Sequence, residues 1–354
     1  MGKKPTFVPC LKTPFLMEIL ENHSLEPLNT FGLDVRARYF AEVRTIEELL
    51  QLFERFPPAS VPHLILGGGS NLLFTGDYRG LVIKISLKGL DVTEETEDCV
   101  EVTAAAGEDW DAFVGQCVER GWGGLENLSL IPGQVGSSPI QNIGAYGVEL
   151  KDHFVQLEAL DKKTGAILIL DKDACRFGYR DSLFKGEGRG RYVILSVRFR
   201  LSKRNHRLSL GYGAILAAME QKGNTEPTIA DVREVVCDIR RSKLPDPAIT
   251  GNAGSFFKNP VISLDRYERL KIKYPAIVAY PDPNGMKLAA GWLIEQTGWK
   301  GYREGDAGIH PLQALVLVNY GKASGSQLIE LSEKVKASVK QRFGVRLETE
   351  VNII

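Results

Sequence analysis

The chain reads as an α+β protein of two or three domains. Its 354 residues exceed what a single core usually organises. Runs of helical period, at 46–56, 109–120 and 228–243, are separated by β-rich text that contains loops too apolar to be linkers. A polar break, QKGNTEPT at about 220–228, marks a boundary between an N-terminal half and a C-terminal part.

Taken in order, 46–56 is an amphipathic helix, and HLILGGGSNLLF followed by a turn at Gly76 and LVIKI reads strand, loop, strand over 63–85. A strand at 100–106 precedes the helix 109–120, in which Trp110, Phe113, Val114, Cys117 and Val118 recur at helical spacing before Gly121 stops it. Strands at 154–160 and 166–170 turn across Lys163, Thr164 and Gly165, and another covers 192–201. Thr228 caps a helix to Lys243, with Asp231 at its third position and Val232, Val235, Val236 and Ile239 on one face. Helices at 287–297 and 326–343 follow, and LETEVNII closes the chain as a strand.

Composition narrows the function. Lys plus Arg and Asp plus Glu both number 44, so no global field favours nucleic acid or an anionic membrane, and a small-molecule partner is the default. Cys10, Cys99, Cys117, Cys175 and Cys237 are odd in number and form no Cys-x-x-Cys pair; with five histidines that lack metal spacing, no metal site is expected. Cys117 and Cys237 fall on apolar helical faces and are expected in the core. The first fifteen residues, broken by Pro5, Pro9, Lys12 and Pro14, lack a signal-peptide core, and no run approaches the roughly 20 apolar residues of a span. Met1, Gly2 and Thr6 fit the short myristoylation pattern without other support, and the chain is read as cytoplasmic.

Three glycine-rich segments carry chemistry. In GGGSN, Gly67 and Gly69 begin a G-x-G, but Leu72 takes the third glycine position, no helix follows, and no Gly-Lys-Ser/Thr is present, so Rossmann and P-loop signatures both fail. What remains is a run of N–H groups able to nest an anion, with Ser70 and Asn71 adding side chains; the alternative is a tight strand connection. The stretch 123–147, GGLENLSLIPGQVGSSPIQNIGAYG, is nearly uncharged and holds Ile131, Val135, Ile140, Ile143 and Tyr146, which suits close approach to a large, flat, partly apolar ligand. Two such loops in one half suggest a pyrophosphate clamped between them. In GNAGSFFKNP, Gly251 and Gly254 permit unusual backbone, Phe256 and Phe257 exclude water, and Ser255, Lys258 and Asn259 remain polar in a dry setting; the alternative is a buried turn with a satisfied serine.

GGGSNLLF, IPGQVGSSPIQNIGAYG, CRFGYRDSLFK, KLPDPAITGNAGSFFKNP and LETEV, in this order, together resemble the UDP-N-acetylenolpyruvoylglucosamine reductase (MurB) family of flavoenzymes, over about 29–354. The resemblance implies noncovalent FAD in a vanillyl-alcohol-oxidase-like (PCMH-type) two-part N-terminal half, a C-terminal α+β substrate domain, and NADPH as hydride donor. It divides the chain into an extension 1–25, FAD-binding subdomain 1 over 26–90 joined by a strand at 345–354, subdomain 2 over 91–224, and a substrate domain 225–344. It assigns catalysis to Arg180, Ser255 and Glu350, choosing Glu350 over Glu348, which strand parity cannot separate. FAD contacts fall on Gly67, Gly68, Gly69, Ser70, Asn71 and Leu72 in the first loop. In the second they fall on Ile131, Pro132, Gly133, Gly136, Ser137, Gln141, Asn142, Gly144, Ala145 and Tyr146. Tyr179, Tyr212, Lys243, Asn259 and Gln296 match substrate positions, with Tyr212 in a mobile loop 203–213 that marks the longer of the family's two types. The implied substrate is UDP-N-acetylglucosamine enolpyruvate, reduced to UDP-N-acetylmuramate for peptidoglycan, by a protein expected to be a monomer.

That chemistry suits these residue types: Arg180 offers a cationic fork and a protonated Glu350 a hydrogen bond to a developing enolate, while Ser255 delivers a proton to carbon. Two rivals stand beside it. A sugar-lactone oxidase of the same cofactor fold shares the glycine loops but has no reason to carry RFGYRDS with GNAGSFFKNP; a noncatalytic nucleotide-sugar binder accounts for Lys243 and Asn259 but does not need Ser255, Arg180 and Glu350 together. The alternatives are a surface ion pair for Arg180 and an exposed terminal strand acid for Glu350.

Overall fold

The computed structural model describes residues 17–354. Cys10 and the triplet Met1, Gly2 and Thr6 lie outside the described residues. The first sheet runs in the order Leu20–Ser24, Arg36–Val43, Tyr78–Ile85, His63–Leu66; its last three strands are mutually parallel, and the first pairs antiparallel. Helix Ile46–Arg55 forms because Thr45 and Glu48 close a capping box around its first turn, and it buries Leu49 and Leu52 against Val43, Leu81 and Ile83. A second, all-antiparallel sheet has the order Ile167–Asp171, Phe154–Asp161, Tyr192–Ser202, Cys99–Ala105, Leu90–Glu95. Helix Trp110–Glu119 covers it with Trp110, Phe113, Val114 and Cys117. Leu160, Val193 and Leu195 join the core of the first sheet, so the two sheets share buried surface.

Helix Ile229–Lys243 begins at the Thr228–Asp231 capping box and packs on the shorter helix Gly213–Gln221 through Val232, Val235, Val236, Ile215 and Met219. It also lies against the turn at Glu126–Leu128 and helix Trp110–Glu119, where Arg233 pairs with Asp111 at 2.7 Å. The remainder is a four-stranded sheet (Gly251–Asn252, Leu317–Asn319, Ala307–Ile309, Arg303–Glu304) and a three-stranded one (Val261–Ile262, Gly285–Leu288, Ala279–Asp282) with helices Leu264–Lys273, Ala290–Gln296 and Gly325–Phe343. The expected helix at 287–297 starts only at Ala290, because Gly285–Leu288 are used as the central strand of that three-stranded sheet. The closing segment is strand only at Asn352–Ile353, which pairs parallel with Leu72–Leu73, with a single further bridge between Thr349 and Phe257. Through these pairings one core runs from Phe31, Phe40 and Phe74 to Phe256, Leu293 and Leu331. Four cysteines, Cys99, Cys117, Cys175 and Cys237, are free, and Cys117 and Cys237 are buried as their helical faces require.

Candidate active site

The two glycine loops face one another across a cleft of 480 Å³, and their glycines are needed first for each other. A Cβ on Gly68 would stand 3.0 Å from the Cα of Gly133, and one on Gly67 3.0 Å from Gln134 Oε1. Gly69 sits at φ 65°, and a side chain there would overlap the carbonyl of Leu28. Ser70 Oγ donates to the Pro132 carbonyl at 2.9 Å and ties the loops together. The second loop is held from behind: Leu130 N–H donates to Asp111, Trp110 Nε1 donates to the Leu128 carbonyl at 2.9 Å, and Arg240 Nε to that of Leu130 at 3.1 Å.

Among the described residues, the main-chain N–H groups of Gly68, Gly69, Ser70 and Asn71 donate to no protein acceptor. Four consecutive free amides at a strand end make a nest for an anion. The cleft around them carries Lys162, Arg180, Lys185, Arg189 and Arg240 against a single carboxylate, Glu350, although the chain as a whole is neutral. Ile131, Ile140 and Ile143 give it an apolar wall. A nest, a cationic lining and an apolar wall fit a dinucleotide with a pyrophosphate and a flat ring, and thus fit FAD.

At the end of the cleft three distant segments meet. Gly178 and Asp181 bond each other's main chain and form a tight turn, held by Asn142 Nδ2 on the Gly178 carbonyl at 3.0 Å. Within it Arg180 adopts φ 52°, an uncommon conformation for a side-chain-bearing residue, and points its guanidinium inward. Its Nε lies 3.0 Å from Glu350 Oε1 and its terminal nitrogen donates to the Gly144 carbonyl at 2.5 Å. Glu350 is brought there by the main chain: its N–H donates to the Phe256 carbonyl at 2.8 Å, next to Ser255. Phe256 and Phe257 are fully buried and anchor that strand, while Asn252 Oδ1 accepts from Gly254 N–H and shapes the approach to Ser255. Ser255 is half-buried and lines the cleft, and its hydroxyl makes no hydrogen bond to another of the described residues. Glu348 is exposed, and its carbonyl accepts from Lys258 N–H.

Arg180 and Glu350 are 19% and 12% exposed, so neither is an exposed surface group. Burial raises the Glu350 carboxyl above the usual carboxylate range, with Arg180, Lys185 and Lys258 opposing it. Gln141 Nε2 donates to Glu350 Oε1 at 3.3 Å, Asn71 Nδ2 donates to Gln141 Oε1 at 2.6 Å, and Lys185 Nζ reaches Gln141 Oε1 at 3.3 Å and the Glu350 carbonyl at 3.2 Å.

The other predicted residues divide. Gly67, Gly68, Gly69, Ser70, Asn71, Leu72, Ile131, Pro132, Ser137, Gln141 and Gly144 line the cleft. Gly133, Gly136, Asn142, Ala145 and Tyr146 stand behind it: a Cβ on Gly136 would meet Ala106, Asn142 bonds Glu149 and Gly178, and Tyr146 packs edge-on to Tyr212. Tyr179 and Asn259 lie beside Arg180 rather than on the cleft wall. The Tyr179 ring has Arg180 at 5.4 Å and the Lys287 ammonium at 4.7 Å, and burial raises its phenol against the opposing effect of Asn259, whose Oδ1 accepts from Ala290 N–H at 2.9 Å. Tyr212 is 48% exposed at the start of helix Gly213–Gln221, and Lys243 is exposed at the end of its own helix. Gln296 falls away from this group, exposed at a helix end where its carbonyl accepts from Arg342. Lys185, Lys162, Arg189 and His63 line the cleft without having been singled out from sequence. Only Lys185 had a signal, its place in SLFK five residues after Arg180.

Known proteins resemble this chain along nearly its whole length. Residues 246–354 match the family profile "UDP-N-acetylenolpyruvoylglucosamine reductase, C-terminal domain", and 37–171 match "FAD binding domain". The chain is 53% identical to UDP-N-acetylenolpyruvoylglucosamine reductase of Pseudomonas syringae pv. tomato over 93% of its length and 97% of the relative's. It is 52% identical to that of Pseudomonas aeruginosa over 95% and 99%. The crystal structure of UDP-N-acetylenolpyruvylglucosamine reductase (MurB) from Thermus caldophilus superposes with a TM-score of 0.66 at 25% identity, covering 95% of this chain and 98% of that one.

Proposed function

The chain belongs to the UDP-N-acetylenolpyruvoylglucosamine reductase family, and from that premise we infer that it is an FAD-dependent oxidoreductase that uses NADPH to reduce the enolpyruvyl group of UDP-N-acetylglucosamine enolpyruvate, giving UDP-N-acetylmuramate for peptidoglycan synthesis. The observation that carries the catalytic reading is the convergence of Arg180, Glu350 and the Ser255 hydroxyl on a cleft that also holds a main-chain anion nest.

FAD, when bound, supplies the hydride relay between NADPH and the substrate carbon. The first loop's amides, with Lys162 and Arg240 of the cationic lining, would hold its pyrophosphate, and the second loop's isoleucines its flat ring. Arg180 and Glu350 would meet the charge that develops on the enolpyruvyl carboxylate during hydride addition: the guanidinium stabilises it directly, and Glu350, in the protonated form towards which burial shifts it, donates a hydrogen bond. Ser255 hands its proton to the neighbouring carbon and is reprotonated by solvent, a role open to a weak acid only against a strongly basic carbon. Tyr212 closes over the nucleotide, and Lys243, Tyr179 and Asn259 orient the substrate. The domain division 26–90 with 345–354, 91–224 and 225–344 is part of this reading, as are a monomeric state and a cytoplasmic location. No helix among the described residues is long and apolar enough to cross a membrane.

A visible spectrum tests the assignment. The purified protein shows the absorbance of one FAD per chain, released on denaturation; anaerobic NADPH bleaches it, and the enolpyruvyl substrate restores it. A flavin that stays attached after denaturation, or a bleached protein that this substrate fails to reoxidise, contradicts the assignment.

A further inference from the structure

Beside Glu350 lies a second, mostly polar cavity of 280 Å³, which shares Lys185, Arg189, Glu350 and Asn352 with the main cleft. Lys185 stands in the wall between the two. Its ammonium and the amide of Asn71 both need an acceptor, and both take Gln141 Oε1, at 3.3 and 2.6 Å. The amide of Gln141 is thereby oriented, because the end left over for Glu350 Oε1 is the donor Nε2, at 3.3 Å. The same ammonium holds the Glu350 carbonyl at 3.2 Å, so it grips the residue by its main chain and, through Gln141, by its carboxyl.

We propose that Lys185 is a positioning residue for the reduction, fixing the Glu350 carboxyl against Arg180 and supplying part of the positive charge that faces it. The proposal rests on the role given to Glu350 above. The groups facing that carboxyl are Tyr179, Arg180 and Asp181 from the turn, Lys185 and Arg189 from the segment after it, and Lys258 from the segment of Ser255. Burial drives the carboxyl up, and Lys185 is one of three cations restraining it. Loss of this cation raises the carboxyl further, and the basic limb that marks loss of its proton moves to higher pH. A residue that merely braced the loop would not move that limb.

The experiment measures both half-reactions by stopped-flow across pH in the flavin-loaded Lys185→Met and Lys185→Arg variants, with the FAD dissociation constant from flavin fluorescence. In Lys185→Met the reoxidation by substrate slows about 10- to 100-fold and its basic limb shifts up, while flavin reduction by NADPH and FAD affinity stay within about threefold. Lys185→Arg, which keeps the charge, returns the limb to its place and recovers part of the rate. If Lys185→Met does not retain flavin, Lys185→Gln, a neutral donor, carries the same test. An unmoved limb, or equal slowing of both half-reactions with weakened FAD, overturns the proposal. Glu350→Gln separates the levels: where it abolishes the limb but Lys185→Met leaves it unmoved, only the Lys185 role fails, and where it changes neither rate nor limb, the role of Glu350 fails and this one with it.

Discussion

At the nest the features are those of the main chain: the amides of 68–71 donate to no acceptor among the described residues, glycines let two loops touch, and the side chains of Ser70 and Asn71 bond the other loop. At Glu350 they are those of side chains, brought from the turn at 178–181, the segment of Ser255 and the segment at 349–351. The first end tolerates changes of side-chain chemistry but not of volume, and the second the reverse. The two ends therefore break under different substitutions.

Gly69→Ala has the largest expected effect. The added methyl overlaps the Leu28 carbonyl at a left-handed φ, costs about 1–3 kcal/mol, and distorts the nest, so the protein purifies with little flavin and a lowered Tm. Ser70→Ala in the same loop keeps most of its flavin, and an absorbance ratio that reverses this order breaks the main-chain account. At the other end, Arg180→Lys preserves charge but loses the fork that spans Glu350 and the Gly144 carbonyl, so reoxidation by substrate slows about 10²- to 10³-fold while flavin content is unchanged. Colourless Arg180→Lys would merge the two ends into one.

Smaller effects sharpen the contrast. Tyr212→Phe removes one hydroxyl from a half-exposed ring and raises the substrate dissociation constant about 2- to 10-fold without altering FAD affinity, as titration measures. His63 opens the strand that leads to the nest, stacked on Phe53 at 5.3 Å. Burial, and after it the charge of Lys162, pushes its imidazole from 6.5 down to about 4. Because the folded value lies below the unfolded one, its neutral form is favoured by folding, and stability is full above pH 6.5 and lost as pH falls towards 4. Discounted for screening, the loss is on the order of 1 kcal/mol, or about 2–4 °C in Tm, and His63→Leu removes that part of the acid-induced drop.

The same contrast explains what was legible in the sequence. Gly67–Gly69 and the 123–147 stretch leave a mark in composition, since a close main-chain approach admits little besides glycine. The helices with capping boxes, at Thr45 and Thr228, were legible for an equally local reason. Helix Gly213–Gln221 was not: it begins at a glycine, Tyr212 provides no side-chain cap, and its text continues what reads as a loop. Helix Leu264–Lys273 likewise lacks a side-chain cap at Ser263 and buries only Tyr267. The meeting of Ser255 with Glu350 depends on the bridge between Phe257 and Thr349, a pairing across about ninety positions that no local period encodes. Parity left Glu348 and Glu350 equivalent, and only the family motif, later the fold, separated them.

Ser255→Ala, followed by stopped-flow absorbance with NADPH and then with the enolpyruvyl substrate, tests the central claim that the side-chain end performs the proton transfer. Flavin reduction by NADPH needs no proton from the enzyme and stays near the parent rate. Reoxidation slows by at least about 10²- to 10⁴-fold, the usual worth of a positioned acid, and Ser255→Cys recovers part of it. Equal slowing of both phases assigns Ser255 to holding the cofactor, and no change in either contradicts the account.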